Sequence, residues 1–339
     1  MGRDRTLARG ARIFGSLLLS ALALVSLGWI IRDFTKAYDV VDVWWNWAGL
    51  PARAEDGVWV TSFLEPTLLL TYAVAASAAY RSSSSAAILT CTGVLTIVLR
   101  APGLWNLNAD WMQGVPDDLL SSVLFSTIGT VVAGAVLVVT ACVGRRPASA
   151  AQDTDGHGEG ARQHATAQPP PARPTRGGAV AAFVALGAVA SVLVAWEIRT
   201  MQQFGWDRYE RTLTGERSIL RLLDSPSGWV VWAVVLLSLV AGVTALADAP
   251  FARPLGLIVA APLLAIGAFA LAFDIKSEVL ERFGDLGIEY QLHVLTDIFE
   301  TVAGAAVLLA LAYGRRHTPQ PGPCPAADPV PYGLPPQAG

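Results

Sequence analysis

Apolar residues fall in eight long blocks separated by polar segments, the pattern expected of helices that cross a bilayer rather than of a soluble core. The blocks are Ile13–Ile31, Val58–Tyr80, Ala86–Leu99, Leu119–Val143, Ala179–Trp196, Trp229–Ala247, Leu255–Phe273 and Val294–Tyr313. Most approach the ~20 residues that a helix rising ~1.5 Å per residue needs to span the hydrocarbon layer. Ala21-Leu22-Ala23 resembles a leader cleavage site, but the first block stays apolar to Ile31 and so reads as a retained span. The expected fold is an all-α polytopic membrane protein with eight transmembrane helices.

The pattern repeats. Val132-Ala133-Gly134-Ala135 leads to Gly144-Arg145-Arg146, and Val302-Ala303-Gly304-Ala305 leads to Gly314-Arg315-Arg316. The offset is 170 residues, with 7 of 15 paired positions identical, and the shared polar Gly-Arg-Arg stop is not a by-product of apolar composition. Shifting the first four blocks by the same offset brings each near one of the second four. The sequence therefore predicts two parallel four-helix repeats, residues 13–146 and 179–316, related by an axis along the membrane normal. Residues 1–12 form an N-terminal segment. Pro147 to Gly178 and His317 to Gly339 (eight prolines in the latter) are too poor in large apolar residues to offset chain entropy, so both are expected to be disordered.

Charge and aromatic residues orient this array. The N-terminal arginines and both Gly-Arg-Arg stops fall on one side, so both termini are expected in the cytosol of a bacterial cell, with the protein in its cytoplasmic membrane. All 11 tryptophans lie at or beyond the opposite span ends. Trp44, Trp45, Trp47, Trp105, Trp111 and Trp206 stand in the outer loops and make the expected outer interface. Three loop stretches are amphipathic: Val40 to Trp47, Glu216 to Leu223, and the segment carrying Val279, Leu280 and Phe283. They either pack into a cap or lie separately on the headgroups.

Composition agrees with this class: 53% of residues are hydrophobic, 15% are charged, and mean hydropathy is +0.47. Cys91, Cys142 and Cys324 have no metal or disulfide spacing. No nucleotide loop, hydrolase elbow, zinc motif or basic nucleic-acid footprint is present. No cofactor and no metal is expected, and no nucleotide or nucleic-acid partner.

Chemistry is then sought among charges at membrane depth, where ionised groups are costly. Glu65, ahead of Pro66 in the second block, is one candidate, and Arg100 at the end of the third is its possible counter-ion. His293, Asp297 and Glu300 are spaced by four and three, which places them on one helical face. The first repeat has Thr127 and Thr130 where the second has Asp297 and Glu300, so these acids break the repeat. If the halves pack about one axis, all five form a single binding site. The plainer readings are an N-terminal carboxylate complementing a helix dipole, a snorkelling arginine and an interfacial histidine. The expected function is non-enzymatic: an envelope protein that binds membrane lipid or another membrane protein through its Trp-rich outer face. The alternative is a small-solute or proton-coupled ion transporter using Glu65, Asp297 and Glu300. An enzyme acting on lipid ranks third.

Overall fold

The computed structural model describes residues 5–110, 114–147, 175–216 and 221–312. It is helical apart from two three-residue strands, β1 (Arg5–Leu7) and β2 (Arg145–Pro147). The helices are α1 (Arg9–Lys36), α2 (Val40–Trp47), α3 (Leu64–Arg81), α4 (Ser85–Asn106), α5 (Asp117–Val143), α6 (Arg176–Phe204), α7 (Trp206–Thr214), α8 (Ser227–Leu246), α9 (Ala252–Lys276) and α10 (Ile288–Ala312). Seven of them, α1, α4, α5, α6, α8, α9 and α10, are long and apolar enough to cross a membrane. The eighth expected span, α3, has 18 residues bracketed by Glu65 and Arg81, and those charges keep it out of that set. The expected disordered segments, Pro147 to Gly178 and His317 to Gly339, lie mostly or wholly outside the described residues, as do Trp111 and residues 217–220.

Packing follows the chain. α1 lies along α3, α4 along α5, α6 along α8 and α9 along α10, while α3 and α4 meet α9 between the two sets. α4 is the most enclosed crossing helix, with 61% of its apolar window buried against 28–44% for the others. Leu17 and Leu24 of α1, Phe125 and Val139 of α5, and Val302 and Leu309 of α10 point outward, as the apolar belt of a membrane protein requires. Two close approaches rest on glycine. A Cβ on Gly93 would stand 2.6 Å from the Gly134 carbonyl oxygen of α5, and one on Gly304 would stand 2.8 Å from the Leu264 backbone of α9.

At the end of the bundle that carries the N-terminus, the near end, β1 pairs antiparallel with β2. Arg253 donates from Nε to Leu311 O (2.7 Å) and from Nη2 to Ala312 O (2.6 Å), satisfying terminal carbonyls of α10.

At the far end the connections interlock. Asp33, fully buried, accepts from Val60 N, Thr61 N and Thr61 Oγ1, which holds Val58 to Ser62 out of helix. The second span expected from Val58 therefore begins as helix only at Leu64. Pro66 falls in its first turn, where the missing N–H has no intrahelical partner to lose, so it breaks nothing. The third span continues past Leu99 to Asn106 with Pro102 inside it. Pro102 cannot donate to the Val98 carbonyl, and the Trp229 indole of α8 donates to that oxygen instead (2.8 Å).

Of the three amphipathic stretches, Val40–Trp47 is helix α2, capped by Asp39 accepting from Val41 N at 3.0 Å. Residues 221–226 are turn and extended chain, and the Val279 segment is a turn followed by the 3-10 turn Phe283–Asp285. The first two of these stretches do not lie apart on the surface. Leu222 N and Leu223 N donate to Trp59 O and Val60 O, and Arg221 donates to the side chain and carbonyl of Asn46. Phe269 of α9 is surrounded by the rings of Trp44, Trp47 and Phe63, with centroids 4.9–6.3 Å apart. The loops form one packed layer.

Candidate functional site

The charged residues at membrane depth separate into two groups. The first is a closed ion pair. Glu65 stands in the first turn of α3, where its Oε2 accepts from Ser62 N (2.7 Å) and Ser62 Oγ (3.3 Å). Ser62 Oγ in turn accepts from Leu64 N (3.3 Å), so Ser62-Phe63-Leu64-Glu65 makes the reciprocal arrangement of a capping box. The other oxygen, Oε1, receives Arg100 Nη1 at 2.7 Å, and the same nitrogen donates to Leu223 O at 3.0 Å. Glu65 has 0% and Arg100 5% of its surface exposed. Arg100 does not snorkel, because α4 carries it six residues short of its end, facing inward. Glu65 therefore stands at the start of a helix and not within the apolar run that begins at Val58, because Val58 to Ser62 are not helical.

Asp224 adds a third charge beside this pair. It sits in the loop before α8, 3.8 Å from Arg221. Burial pushes its carboxyl up to about 6; Arg221 opposes that shift and Glu65 adds to it. Ser225 Oγ donates to Leu99 O, and Tyr72 OH and Thr96 Oγ1 share a 3.0 Å hydrogen bond one turn below Arg100. The two halves of the chain are thus tied at one charged knot, made of α3, α4 and the loop from Arg221 to Ser225.

The second group is acidic and lies on α9 and α10. Asp274 and Asp297 are close electrostatic neighbours across the two helices, and Glu300 interacts with Asp297. Asp274 is 7% and Glu300 3% exposed, and Asp274 Oδ2 is buried without a hydrogen-bond partner. Among the described residues no arginine or lysine forms an ion pair with any of the three. His293 stacks on Trp196 of α6, ring centroids 3.7 Å apart. Within the described residues no group of three potential ligands is placed to hold a metal ion.

The five residues expected in one site are therefore found in two places. Glu65 and Arg100 are joined. His293, Asp297 and Glu300 share α10, and their interactions run to α6, α9 and each other rather than to Arg100. Sequence reasoning passed over Asp33, Asp224 and Asp274. Asp274 lies one residue past the seventh expected span, so the same search for charge at membrane depth could have reached it. Asp33 and Asp224 each have an arginine close by in sequence, Arg32 and Arg221, but the backbone groups that enclose Asp33, at Val60 and Thr61, are 27 and 28 residues away, and the ion pair beside Asp224 belongs to the other half of the chain. The Ser62-x-x-Glu65 spacing, by contrast, is legible as a cap.

The outer tryptophans are largely turned to internal use. Trp47 Nε1 donates to Thr61 Oγ1 (2.9 Å), Trp59 Nε1 to Ala52 O (2.9 Å) and Trp105 Nε1 to Thr214 O (2.9 Å). Trp45 lies under Lys276 Nζ at 5.4 Å from its ring centroid. Trp44 and Trp206 keep about half their surface exposed.

Together these features define a polytopic helical membrane protein. The chain matches no protein-family profile, no curated protein and no solved structure.

Proposed function

We propose that the chain is a non-enzymatic protein of the bacterial cytoplasmic membrane, with eight crossings in two parallel repeats and both ends in the cytosol. It holds lipid headgroups or a membrane partner on the aromatic rim of its outer layer. The observation that carries this reading is the interlocked far-end layer, whose edge leaves Tyr38, Trp44, Trp206 and Tyr290 exposed. Amphipathic rings of this kind are favoured at the membrane–water boundary.

Three features support the eight crossings and the duplication. β1 and β2 are hydrogen-bonded, so the chain between them returns to the end where it started; with α1, α4 and α5 crossing, α3 must supply the fourth passage. The packing order α1–α3, α4–α5 recurs as α6–α8, α9–α10, and each first helix is followed by a short one, α2 or α7. Trp29 Nε1 donates to Ser126 Oγ (2.9 Å) and Trp196 Nε1 donates to Thr296 Oγ1 (3.0 Å), and the two hydroxyls stand 170 residues apart.

The test separates rim from core. The Trp44→Ala/Trp206→Ala double variant should lose a co-purifying lipid or partner while its stability changes by no more than ~0.5 kcal/mol per site. Trp47→Ala should instead destabilise the fold by about 3 kcal/mol, because it empties a buried ring site. Unchanged co-purification in the double variant rejects the rim as the binding surface.

A second reading, a cation- or proton-coupled transporter, is supported by the acidic group at Asp274, Asp297 and Glu300, which has His293 near Asp274 but no arginine or lysine ion pair among the described residues. Glu65 then takes no part in transport, since the Arg100 pair and Ser62 occupy its oxygens. In proteoliposomes, Asp297→Asn and Glu300→Gln should each abolish an ion flux driven by a pH gradient. A flux that survives both, or no flux in the parent protein, removes this reading.

A further inference from the structure

A groove of about 450 Å³ runs between α3 of the first half and α9 of the second. Its walls are Leu70, Val74 and Ala78 on one side and Leu257, Ala261 and Leu308 on the other. Leu70 and Val74 are each 66% exposed, so the groove opens sideways through the apolar belt. The one hydroxyl along its wall, that of Thr71, is spent on Thr67 O (2.8 Å), which leaves the wall without a free donor.

The near end is different. Ser82 and Ser84 of the α3–α4 turn line it, together with Arg253 in the first turn of α9. Arg253 spends Nε and Nη2 on the last carbonyls of α10. Its Nη1 makes no hydrogen bond within the described residues, and no carboxylate there pairs with it. A fixed positive charge therefore stands where an apolar slot reaches the membrane boundary.

We propose that this groove binds one phospholipid of the leaflet at the near end, an acyl chain lying between α3 and α9 and the phosphate on Arg253. The lining selects the occupant. From Leu70 to the end of α3 at Arg81 the slot runs ~17 Å along the helix. A slot of that length with hydrocarbon walls suits an acyl chain. The charge selects the headgroup, since guanidinium N–H groups match phosphate oxygens.

The test is native mass spectrometry of the full-length protein exchanged from detergent into phosphatidylglycerol, with diacylglycerol of the same chains as the control. The parent protein should retain one phosphatidylglycerol and bind diacylglycerol about tenfold more weakly. Arg253→Gln should bind the two lipids alike. Ala261→Trp, which fills the slot, and Val74→Trp, which closes its mouth from the exposed edge, should each lose the retained lipid. The Val74 site lies outside the core, so the result does not depend on Ala261→Trp folding. Equal retention in both tryptophan variants, no preference for the phosphate, or a second copy of the chain in place of lipid would each overturn the assignment.

Discussion

Arg100→Met should cost the protein about 3–5 kcal/mol, the range found when one partner of a buried ion pair is removed. The loss comes less from a missing attraction than from what stays behind. Glu65, 0% exposed, would be left with only Ser62 as a partner, and Leu223 O would lose its donor. Chemical unfolding in mixed micelles, followed by helical circular dichroism, measures the change. Removing both charges, in Glu65→Leu/Arg100→Met, should be milder than the two single losses added together, by roughly 1–3 kcal/mol, because no uncompensated ion remains. Strict additivity would mean that the two groups do not depend on each other. Arg100→Lys should rescue only part of the loss, since a lysine ammonium is a compact, strongly hydrated charge without the flat guanidinium that here joins Glu65 to the Leu223 carbonyl.

The second large effect is steric. Gly93→Val and Gly267→Val should each destabilise the bundle by ~3 kcal/mol, at the upper end of what overpacking costs. A Cβ on Gly93 meets the Gly134 carbonyl oxygen at 2.6 Å, and one on Gly267 meets Thr301 N at 2.5 Å. Both obstacles are backbone, so the helices must separate; no rotamer change relieves the clash. Gly129→Val serves as the control, because a Cβ there meets nothing within 4 Å and its α5 face is open. The unfolding midpoint should fall for the first two variants and barely move for the third. A similar fall in all three would show that the backbone clash is not the cause, since Gly→Val by itself raises helix propensity.

Much of the fold was readable in the chain because hydrophobic run length is a local property. Seven of the eight expected spans correspond to helices that are long and apolar enough to cross a membrane, and α2 was visible in the amphipathic Val40–Trp47 stretch. The misplaced ends have one cause, partners distant in sequence. Asp33 keeps Val58 to Ser62 out of helix, and Trp229 takes up the carbonyl that Pro102 leaves free, so α4 runs on past Leu99. Neither partner announces itself in a window of 20 residues.

The candidate site was legible only as a set of residue types. Charge at membrane depth picked out Glu65, Arg100, Asp297 and Glu300, all of which stand on helices, three of them buried. Placing all five residues around one axis assumed that the two repeats present equivalent faces to each other. The loop from Arg221 to Ser225 instead reaches across to α3 and α4, where its Leu223 carbonyl helps to hold Arg100, while Asp297 faces Asp274 of α9.

By itself the sequence determined the solvent this protein is built for, since long uncharged runs cannot bury their surface in water at any register. Tertiary structure alone decided which charges pair, which tryptophans face inward and where a groove opens, because each depends on contacts between residues more than 20 apart. A buried carboxylate next to Arg100 is a structural tie, and one next to another carboxylate is not; the residue type is the same in both.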